Sequence, residues 1–490
     1  MRKEGYIVMH RRLVVLLTAV VLGILALFIA CGSGGGSSSF RTVSTATVTT
    51  TLSDPATCSS SASGPYSNVW VTITDVLINA SASAADNDPN WIDLTPTLKN
   101  APQQVDLLAA ANNQCFLATL GSSIALQPGT YQQIRIILAD NTTANVNLLG
   151  ASNKCGSGGV NCVILALPNP NTPQILQLSS ESKTGLKIPS GQIAGGAFTL
   201  ADGQTKDLNI DFDTCASLVV QGNGQFRLKP VLHAGEVALT SPSINGKLVD
   251  RITNLPIVGG KAIVALEQKD SNGVDRVIMQ VTPDNTGAFN FCPVPGGAYD
   301  VVAVAVSGAN LSYAATITAG VQPGNALGNI PMDAVTGANT APGSITGQVT
   351  TVNATSNGAT VDVLLSALQT VSSTIFTIPA GTQAATLSVA TDKPSTCAAD
   401  PCPPYTFTYT MTPVPPVSPT VGAFSATSPT IYTAGSGTPP ATYVVEAQTF
   451  VPMSGGTGDC NPSKQTTAAV SVNPGTPAAT ATTLAFTGCQ

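Results

Sequence analysis

The stretch DLNIDFD, residues 207–213, alternates apolar and polar side chains with a period of two. Leu208, Ile210 and Phe212 project to one face of an extended chain, because successive side chains of a β-strand point to opposite sides. Asn209, Asp211 and Asp213 project to the other face. This alternation predicts a half-buried β-strand.

The same period returns in NVWVTITDVLINA (68–80) and in GTYQQIRIILAD (129–140). The 490 residues include 45 glycines and 35 prolines, which are scattered between runs of β-branched side chains. Turn-forming residues at short intervals between such runs indicate an all-β chain. The length is sufficient for about three domains. We therefore expect tandem β-sandwich modules.

The charge balance excludes some partners. Only 9% of the residues are charged. The chain has 26 acidic and 20 basic residues, which gives a formal net charge of −6 at pH 7. The sequence has no basic patch of the kind that binds nucleic acid or an anionic lipid surface. We expect no nucleic-acid partner.

The N-terminal segment has the pattern of an export signal. Basic residues precede an apolar run over residues 13–30, and Cys31 follows that run directly. Ile29, Ala30 and Cys31 resemble the bacterial lipobox. That resemblance implies cleavage before Cys31, acylation of its sulfur and amine, and durable attachment to a lipid bilayer. Gly32 after the cysteine resembles signals for sorting to the outer membrane.

The first two segments of the chain are therefore predicted as a lipoprotein signal peptide (1–30) and a flexible glycine- and serine-rich tether (31–41). An uncleaved signal anchor is the alternative, since the apolar run is about long enough to span a bilayer. Translation starts at Met1 or at Met9, and either start leaves the same signal.

The first module is predicted over residues 42–239. VTITDVLI, WIDL, QVDLLA, LQPGTYQQIRIIL, TGLKIPSG, LNIDFD and FRLKPVL occur in this order. The series is similar to the bacterial lipoprotein family called domain of unknown function 4382, with a cysteine-bearing insertion near residues 155–173. The resemblance implies a secreted β-sandwich-like domain and provides no catalytic residue.

The second module is predicted over residues 240–336. INGKLVDRITNLPIVGGKAIVALEQ (244–268), VTPDNTGAFNF (281–291) and VPGGAYDVVAVAV (294–306) resemble the carboxypeptidase regulatory-like domain, which is a transthyretin-like sandwich grouped with carbohydrate-binding-like folds. DNTG and PGGAY are typical of tight turns, and Tyr299 is expected to anchor a sandwich corner.

The third module is predicted over residues 340–490 as a diverged repeat of the second. SINGKLV returns as SITGQVT, and PGGAYDVVAVA returns as PPATYVVEAQ. The copy contains a proline-rich insertion around residues 396–419.

Cysteine usage indicates an oxidising compartment. Eleven cysteines leave an even ten once Cys31 is acylated, which favours disulfides over metal or redox sites. The candidate pairs are Cys155 with Cys162, Cys397 with Cys402, and Cys460 with Cys489. Spacing alone does not fix the connectivity.

The sequence contains no recognisable catalytic set. It lacks a G-x-S-x-G elbow, an H-E-x-x-H motif and a phosphate-binding loop, and His233 is the only histidine beyond the signal peptide. We interpret His233 as structural, and we expect no enzyme activity, no metal and no cofactor. Asp211 with Asp213 is a candidate cation-binding or acid–base pair, against the alternative of ordinary strand hydrogen bonding. Trp70 and Trp91 are candidates for stacking on a sugar, against the alternative of core packing.

These observations predict a non-enzymatic, lipid-anchored protein of the bacterial cell envelope, at the outer membrane or cell surface. It would act in surface recognition, adhesion or scaffolding, with an envelope protein or a glycan as partner. The alternative is a carbohydrate-binding lipoprotein that uses its sandwich fold, an inference that rests on fold analogy.

Overall fold

The computed structural model of the chain describes residues 45–54, 66–109, 115–166, 172–178, 185–220, 225–229, 231–237, 243–257, 260–353, 361–380, 387–391, 405–435, 437, 439–450, 460–475 and 477–489. Thr45–Gln490 form one compact unit. The described elements are almost all β-strands, as the sequence predicts, so the chain has an all-β fold.

In the first module the strands are β1 (Ala46–Ser53), β2 (Tyr66–Asn79), β3 (Ile92–Asp93), β4 (Gln103–Asp106), β5 (Ala118–Leu126), β6 (Gly129–Tyr131), β7 (Gln133–Leu138), β8 (Cys162–Leu165), β9 (Pro173–Gln177), β10 (Leu186–Pro189), β11 (Phe198–Leu200), β12 (Thr205–Phe212), β13 (Leu218–Val220), β14 (Phe226–Leu228) and β15 (Leu232–Val237). Two short helices accompany them, α1 (Thr143–Leu149) and α2 (Thr214–Ser217).

In the second module the strands are β16 (Ile244–Asp250), β17 (Lys261–Lys269), β18 (Asp275–Val281), β19 (Ala288–Phe291), β20 (Tyr299–Val306), β21 (Thr316–Val321) and β22 (Ala326–Met332). In the third they are β23 (Gly343–Asn353), β24 (Val361–Val371), β25 (Thr374–Thr377), β26 (Leu387–Thr391), β27 (Tyr405–Val414), β28 (Thr420–Ala423), β29 (Tyr432–Thr433), β30 (Ala441–Phe450), β31 (Lys464–Thr466), β32 (Val470–Val472), β33 (Ala479–Thr480) and β34 (Leu484–Cys489).

The first module packs two main sheets around one core. One sheet has the order β15-β12-β1-β5, and β1 runs parallel to β12. The other has the order β10-β7-β2-β8-β9-β14-β13, with β3 and β4 also paired to β2. Fully buried side chains such as Leu52, Ile210, Val71 and Ile136 belong to one hydrophobic cluster of this module.

The predicted half-buried character of β12 is wrong. Residues 208–212 are buried on both faces of the strand. The polar face lies against the second module, since Asn209 and Asp211 line a small cavity together with Ile278 and Met279. Alternation predicted the strand correctly, but it does not reveal that another module covers the polar face.

The second module opposes the sheet β19-β16-β22 to the sheet β18-β17-β20-β21-β28-β29. The predicted corner is present, because the buried hydroxyl of Tyr299 donates to the Pro295 carbonyl oxygen at 2.8 Å. The predicted DNTG turn is present as well. The Asp284 carboxylate accepts from the backbone N–H of Thr286 at 2.8 Å, and Gly287 has a φ of +78°, a conformation that favours glycine.

The larger sheet of the second module takes strands from beyond residue 340. β28 pairs in parallel with β21, and β29 pairs with β28. The third module adds the sheet β27-β23-β33, with β34 also on β23, and the sheet β25-β24-β30-β31, with β26 and β32 at its flanks. The backbone ladder thus continues across the boundary predicted at residues 336–340.

Strand β20 is buried along its whole length. Val301 and Ala303 contribute to the core of the second module. Val302 and Val304 contribute to the core that the third module forms. The sheet containing β20 is therefore covered on both faces.

Candidate functional site

A ladder of buried polar side chains follows the face of β1 and β12 in the first module. Asn209 Nδ2 donates to Ser53 Oγ at 2.8 Å, and Ser53 Oγ donates to Asp211 Oδ1 at 3.1 Å. Beyond the strand ends, Thr214 Oγ1 donates to Asp54 Oδ2. Of the candidate pair, Asp211 belongs to this ladder, and Asp213 is also buried.

Burial sets the protonation of these carboxyls. Removal from water raises the pKa of Asp54 well above its usual value, and the charges of Asp211 and Asp213 raise it further, against a hydrogen bond from Thr214. Burial and Asp213 raise the pKa of Asp211 in the same way. Raised pKa values favour neutral carboxyl groups over the ionised oxygens that a cation prefers. Within the described ranges, no group of three or more histidine, cysteine or acidic side chains is placed to hold a metal ion.

His233 lies opposite Asp211 in the pairing of β15 with β12. Burial lowers the pKa of its imidazole to about 4, so the ring is neutral at pH 7. Its Nδ1 atom is buried and has no hydrogen-bond partner in the described part of the chain. Ser53 Oγ donates to Asp211 Oδ1 and is fully buried, so it is neither activated by the imidazole nor open to a substrate.

A cavity of about 220 Å³ opens beside His233, and we call it the junction cavity. Asp213 and His233 line it from the first module, Asp270 and Arg276 from the second, and Glu446 from the third. The sequence did not predict this site, because its lining residues are far apart in the chain and share no motif.

Arg276 joins the second module to the third at the wall of this cavity. Its Nη2 atom lies 3.0 Å from Glu446 Oε2, and its Nε atom lies 3.0 Å from Asp270 Oδ2. Lys464 Nζ lies 3.7 Å from the other Glu446 oxygen. The Arg276 and Glu446 side chains are largely buried. The planar guanidinium of Arg276 contacts both oxygens of the planar Glu446 carboxylate, and such a two-contact ion pair is strong and directional.

A second cluster of charged side chains lies where β17, β18 and β20 adjoin, with Lys269 exposed and Asp275 buried. Lys269 Nζ contacts Asp275 Oδ2 at 2.7 Å and Asp300 Oδ2 at 3.3 Å. Glu267, paired with Asp300 across the sheet, accepts from the Thr377 backbone N–H of the third module at 3.2 Å. Burial raises the pKa of Asp275 to about 6, partly offset by Lys269. The contact of Glu267 with Thr377 connects two modules.

Further contacts fasten the modules together. Lys229 Nζ, buried in the first module, donates to the Val363 carbonyl oxygen of the third at 2.7 Å. Gly235 of β15 approaches the second module so closely that an added Cβ would lie 2.7 Å from Pro295 Cγ. A glycine is therefore required where β15 meets the Pro295 ring.

Both tryptophans are half-buried in the first module. Trp70 lies in β2, next to β4 and β8. Trp91 Nε1 donates to the Ala85 carbonyl oxygen at 2.8 Å, and the Arg135 guanidinium carbon lies 4.5 Å from the centre of its ring. Because Arg135 occupies one face of the Trp91 ring, that face is closed to a stacking sugar.

Among the described residues, three disulfides are present. Cys155 is joined to Cys162 and Cys460 to Cys489, which are two of the candidate pairs. The third joins Cys115 of the first module to Cys292 of the second, across a sequence separation of 177. No spacing pattern could have identified that pair. Cys31, Cys397 and Cys402 lie outside the described residues.

Comparison with known proteins supports part of this picture. A family model, the domain of unknown function 4382, matches residues 45–230, inside the predicted first module. The resemblance of the second module to carboxypeptidase regulatory-like domains stays a prediction. No curated protein matches the chain. The described residues contain no helix long and apolar enough to span a bilayer.

Several solved structures show a low similarity to this chain. The Bacillus anthracis TIE protein is 9% identical with a TM-score of 0.14; the match covers 91% of this chain and 51% of that protein, so the chain spans about half its length. The shaft pilin SpaA from Lactobacillus rhamnosus GG is 10% identical with a TM-score of 0.18, covering 60% of this chain and 98% of the pilin. GBS52, the minor pilin of Streptococcus agalactiae, is 11% identical with a TM-score of 0.16, covering 51% and 97%. Nothing about activity follows from TM-scores this low.

Proposed function

We propose that this protein is a non-enzymatic, lipid-anchored component of the bacterial cell envelope that acts as a scaffold or adhesive surface. Cys31 is the acylated first residue of the mature chain, and residues 31–41 are the tether between the bilayer and the folded modules. An envelope protein or a glycan is the partner at the exposed surface.

The observation that carries the proposal is the way the modules are fastened. At the wall of the junction cavity, Arg276 of the second module forms an ion pair with Glu446 of the third. Such buried charges are costly to remove from water, and they remain stable only when their partners stay in place. The side chains best suited to catalysis or ligand binding thus hold the modules together.

The disulfide between Cys115 and Cys292 adds a covalent link between the first two modules. A cross-link over a long stretch of chain restricts the unfolded state, and for more than about 100 residues the stabilisation is about 4–5 kcal/mol. A covalently and electrostatically fastened body suits a protein that bears load or presents a fixed surface outside the cell.

Metabolic labelling with a fatty-acid analogue tests the anchoring. The wild-type protein should be labelled and recovered with the outer membrane, and Cys31→Ser should be unlabelled. The matched control is the double variant Cys155→Ser and Cys162→Ser, which keeps Cys31 and should retain the label. Equal labelling of wild type and Cys31→Ser would contradict the assignment.

Protease treatment of intact cells tests the location of the modules. If they face outward, the protein should be digested without cell lysis, whereas a periplasmic marker should survive. Survival of the full-length protein in intact cells, with digestion after lysis, would place the modules inside the envelope and contradict a surface role.

A further inference from the structure

The junction cavity is too large to be a packing defect. Protein interiors are close-packed and contain few voids larger than one water molecule. One water needs at least about 10–15 Å³ of cavity volume, so about 220 Å³ accommodates many waters or one small molecule. Three modules contribute to its wall, and an occupant would contact all of them.

The two positive charges in the cavity wall are already compensated. Arg276 is paired with Asp270 and Glu446, and Lys464 adds a further positive charge beside Glu446. An anionic ligand would have to displace one of these partners and leave a buried charge unpaired, which is strongly unfavourable.

The remaining polar groups in the wall are neutral. They include the imidazole of His233, the amides of Gln192 and Gln448, and the hydroxyl of Ser366. His233 Nδ1 is buried and lacks a partner among the described residues. A neutral imidazole offers one donor and one acceptor, and an amide offers both kinds of group. A ligand hydroxyl also donates and accepts, so it satisfies either tautomer of His233 and either end of an amide.

We propose that the junction cavity binds one small, neutral, polyhydroxylated molecule of about the size of a monosaccharide. His233 hydrogen-bonds one ligand hydroxyl, and Gln192 and Gln448 bind others from the first and third modules. Because the ligand touches all three modules, its binding stabilises their junction. The site extends the proposed function by adding a soluble ligand to a surface scaffold, and it does not depend on lipid anchoring.

Titration of the disulfide-intact protein, residues 31–490, with D-glucose, D-galactose and D-mannose tests this proposal, with heat of binding and saturation-transfer NMR as readouts. Concentrations stay below about 20 mM, since sugars at high concentration stabilise any protein through exclusion from its surface. Glycine and D-glucuronate serve as charged probes. At least one neutral sugar should bind saturably and raise Tm, and neither charged probe should bind.

Two variants place the binding in the cavity. Gln192→Ala and Gln448→Ala remove half-buried amides and should each weaken binding about tenfold, the loss expected for one hydrogen bond to a buried partner. The matched control Gln322→Ala removes an exposed amide outside the cavity and should bind as wild type does. Circular dichroism and an unchanged ligand-free Tm establish that each variant is folded.

Three results would overturn the proposal. In the first, none of the three neutral sugars binds saturably. In the second, a sugar binds but both cavity variants bind it as wild type does. In the third, glycine or glucuronate binds and the cavity variants weaken that binding. The first leaves water alone in the cavity, the second places the sugar elsewhere, and the third assigns the cavity to charged ligands. Failure of the lipid-labelling experiment would leave this proposal intact.

Discussion

At the scale of the residue, Glu267 shows how the interface between the second and third modules depends on protonation. Its side chain is fully buried, and one carboxyl oxygen lacks a partner in the described part of the chain. Burial raises the pKa of Glu267 well above its usual value, and the nearby charge of Asp275 raises it further. The folded protein therefore binds this proton more tightly than the unfolded chain does.

The contribution of Glu267 to stability should consequently decrease as the pH rises above the ordinary pKa of glutamate. The contribution of Glu267 is fully present below that value and is lost as the pH approaches the raised pKa, with a slope of up to about 1.4 kcal/mol per pH unit for one proton. Asp275, with a pKa of about 6, acts in the same direction. Urea unfolding between pH 5 and pH 8 measures this slope.

Glu267→Gln keeps the size and the acceptor oxygen but does not ionise. The variant should show a shallower decrease of unfolding free energy with pH than the wild type, and the two curves should diverge most at the alkaline end. Parallel curves for the two proteins between pH 5 and pH 8 would contradict the burial of an uncompensated carboxyl at this position.

At the scale of the element, strand β20 belongs to a sheet that is covered on both faces. The apolar run VVAVAV predicted a strand in a sandwich, and the structure contains it. The sequence could not show which elements cover each face. A strand that is buried on both faces has a continuous apolar sequence. Such a sequence does not identify the elements that cover each face.

A matched pair of substitutions in β20 tests this double burial. Val301 faces the core of the second module, and Val302 faces the core shared with the third. Val301→Thr and Val302→Thr should each lower the unfolding free energy by about 1–3 kcal/mol, because each buries a hydroxyl in apolar surroundings. Urea unfolding gives both values. A near-neutral Val302→Thr beside a costly Val301→Thr would show that the outer face is open to water.

The last strand, β34, depends on its disulfide. It pairs in parallel with β23, and Cys489 at its end is joined to Cys460 ahead of β31. Removing this bond by Cys460→Ser with Cys489→Ser should increase cleavage within residues 479–489 in limited proteolysis, since a cross-link is typically worth about 2–4 kcal/mol. The Cys155→Ser and Cys162→Ser variant is the control, and equal cleavage of this end in both variants would contradict the prediction.

At the scale of the whole molecule, the sequence predicted more of the fold than of the site. Alternating stretches, turn residues and the Tyr299 corner depend on local chemistry, and local patterns are what a single sequence displays. The junction cavity, the Arg276–Glu446 pair and the Cys115–Cys292 bond join residues far apart in the chain. The spacing of Asp211 identified it as a candidate. Its burial depends on another module, so the sequence around Asp211 does not reveal it.

The central claim is that the three modules form one fastened body. Differential scanning calorimetry of the oxidised protein, residues 31–490, tests it most directly. Shared sheets, a cross-module disulfide and buried ion pairs couple the modules, so they should unfold in a single transition whose van't Hoff and calorimetric enthalpies agree. Two or more resolved transitions, each with the enthalpy of one module, would show that the modules are independent domains and would contradict the claim.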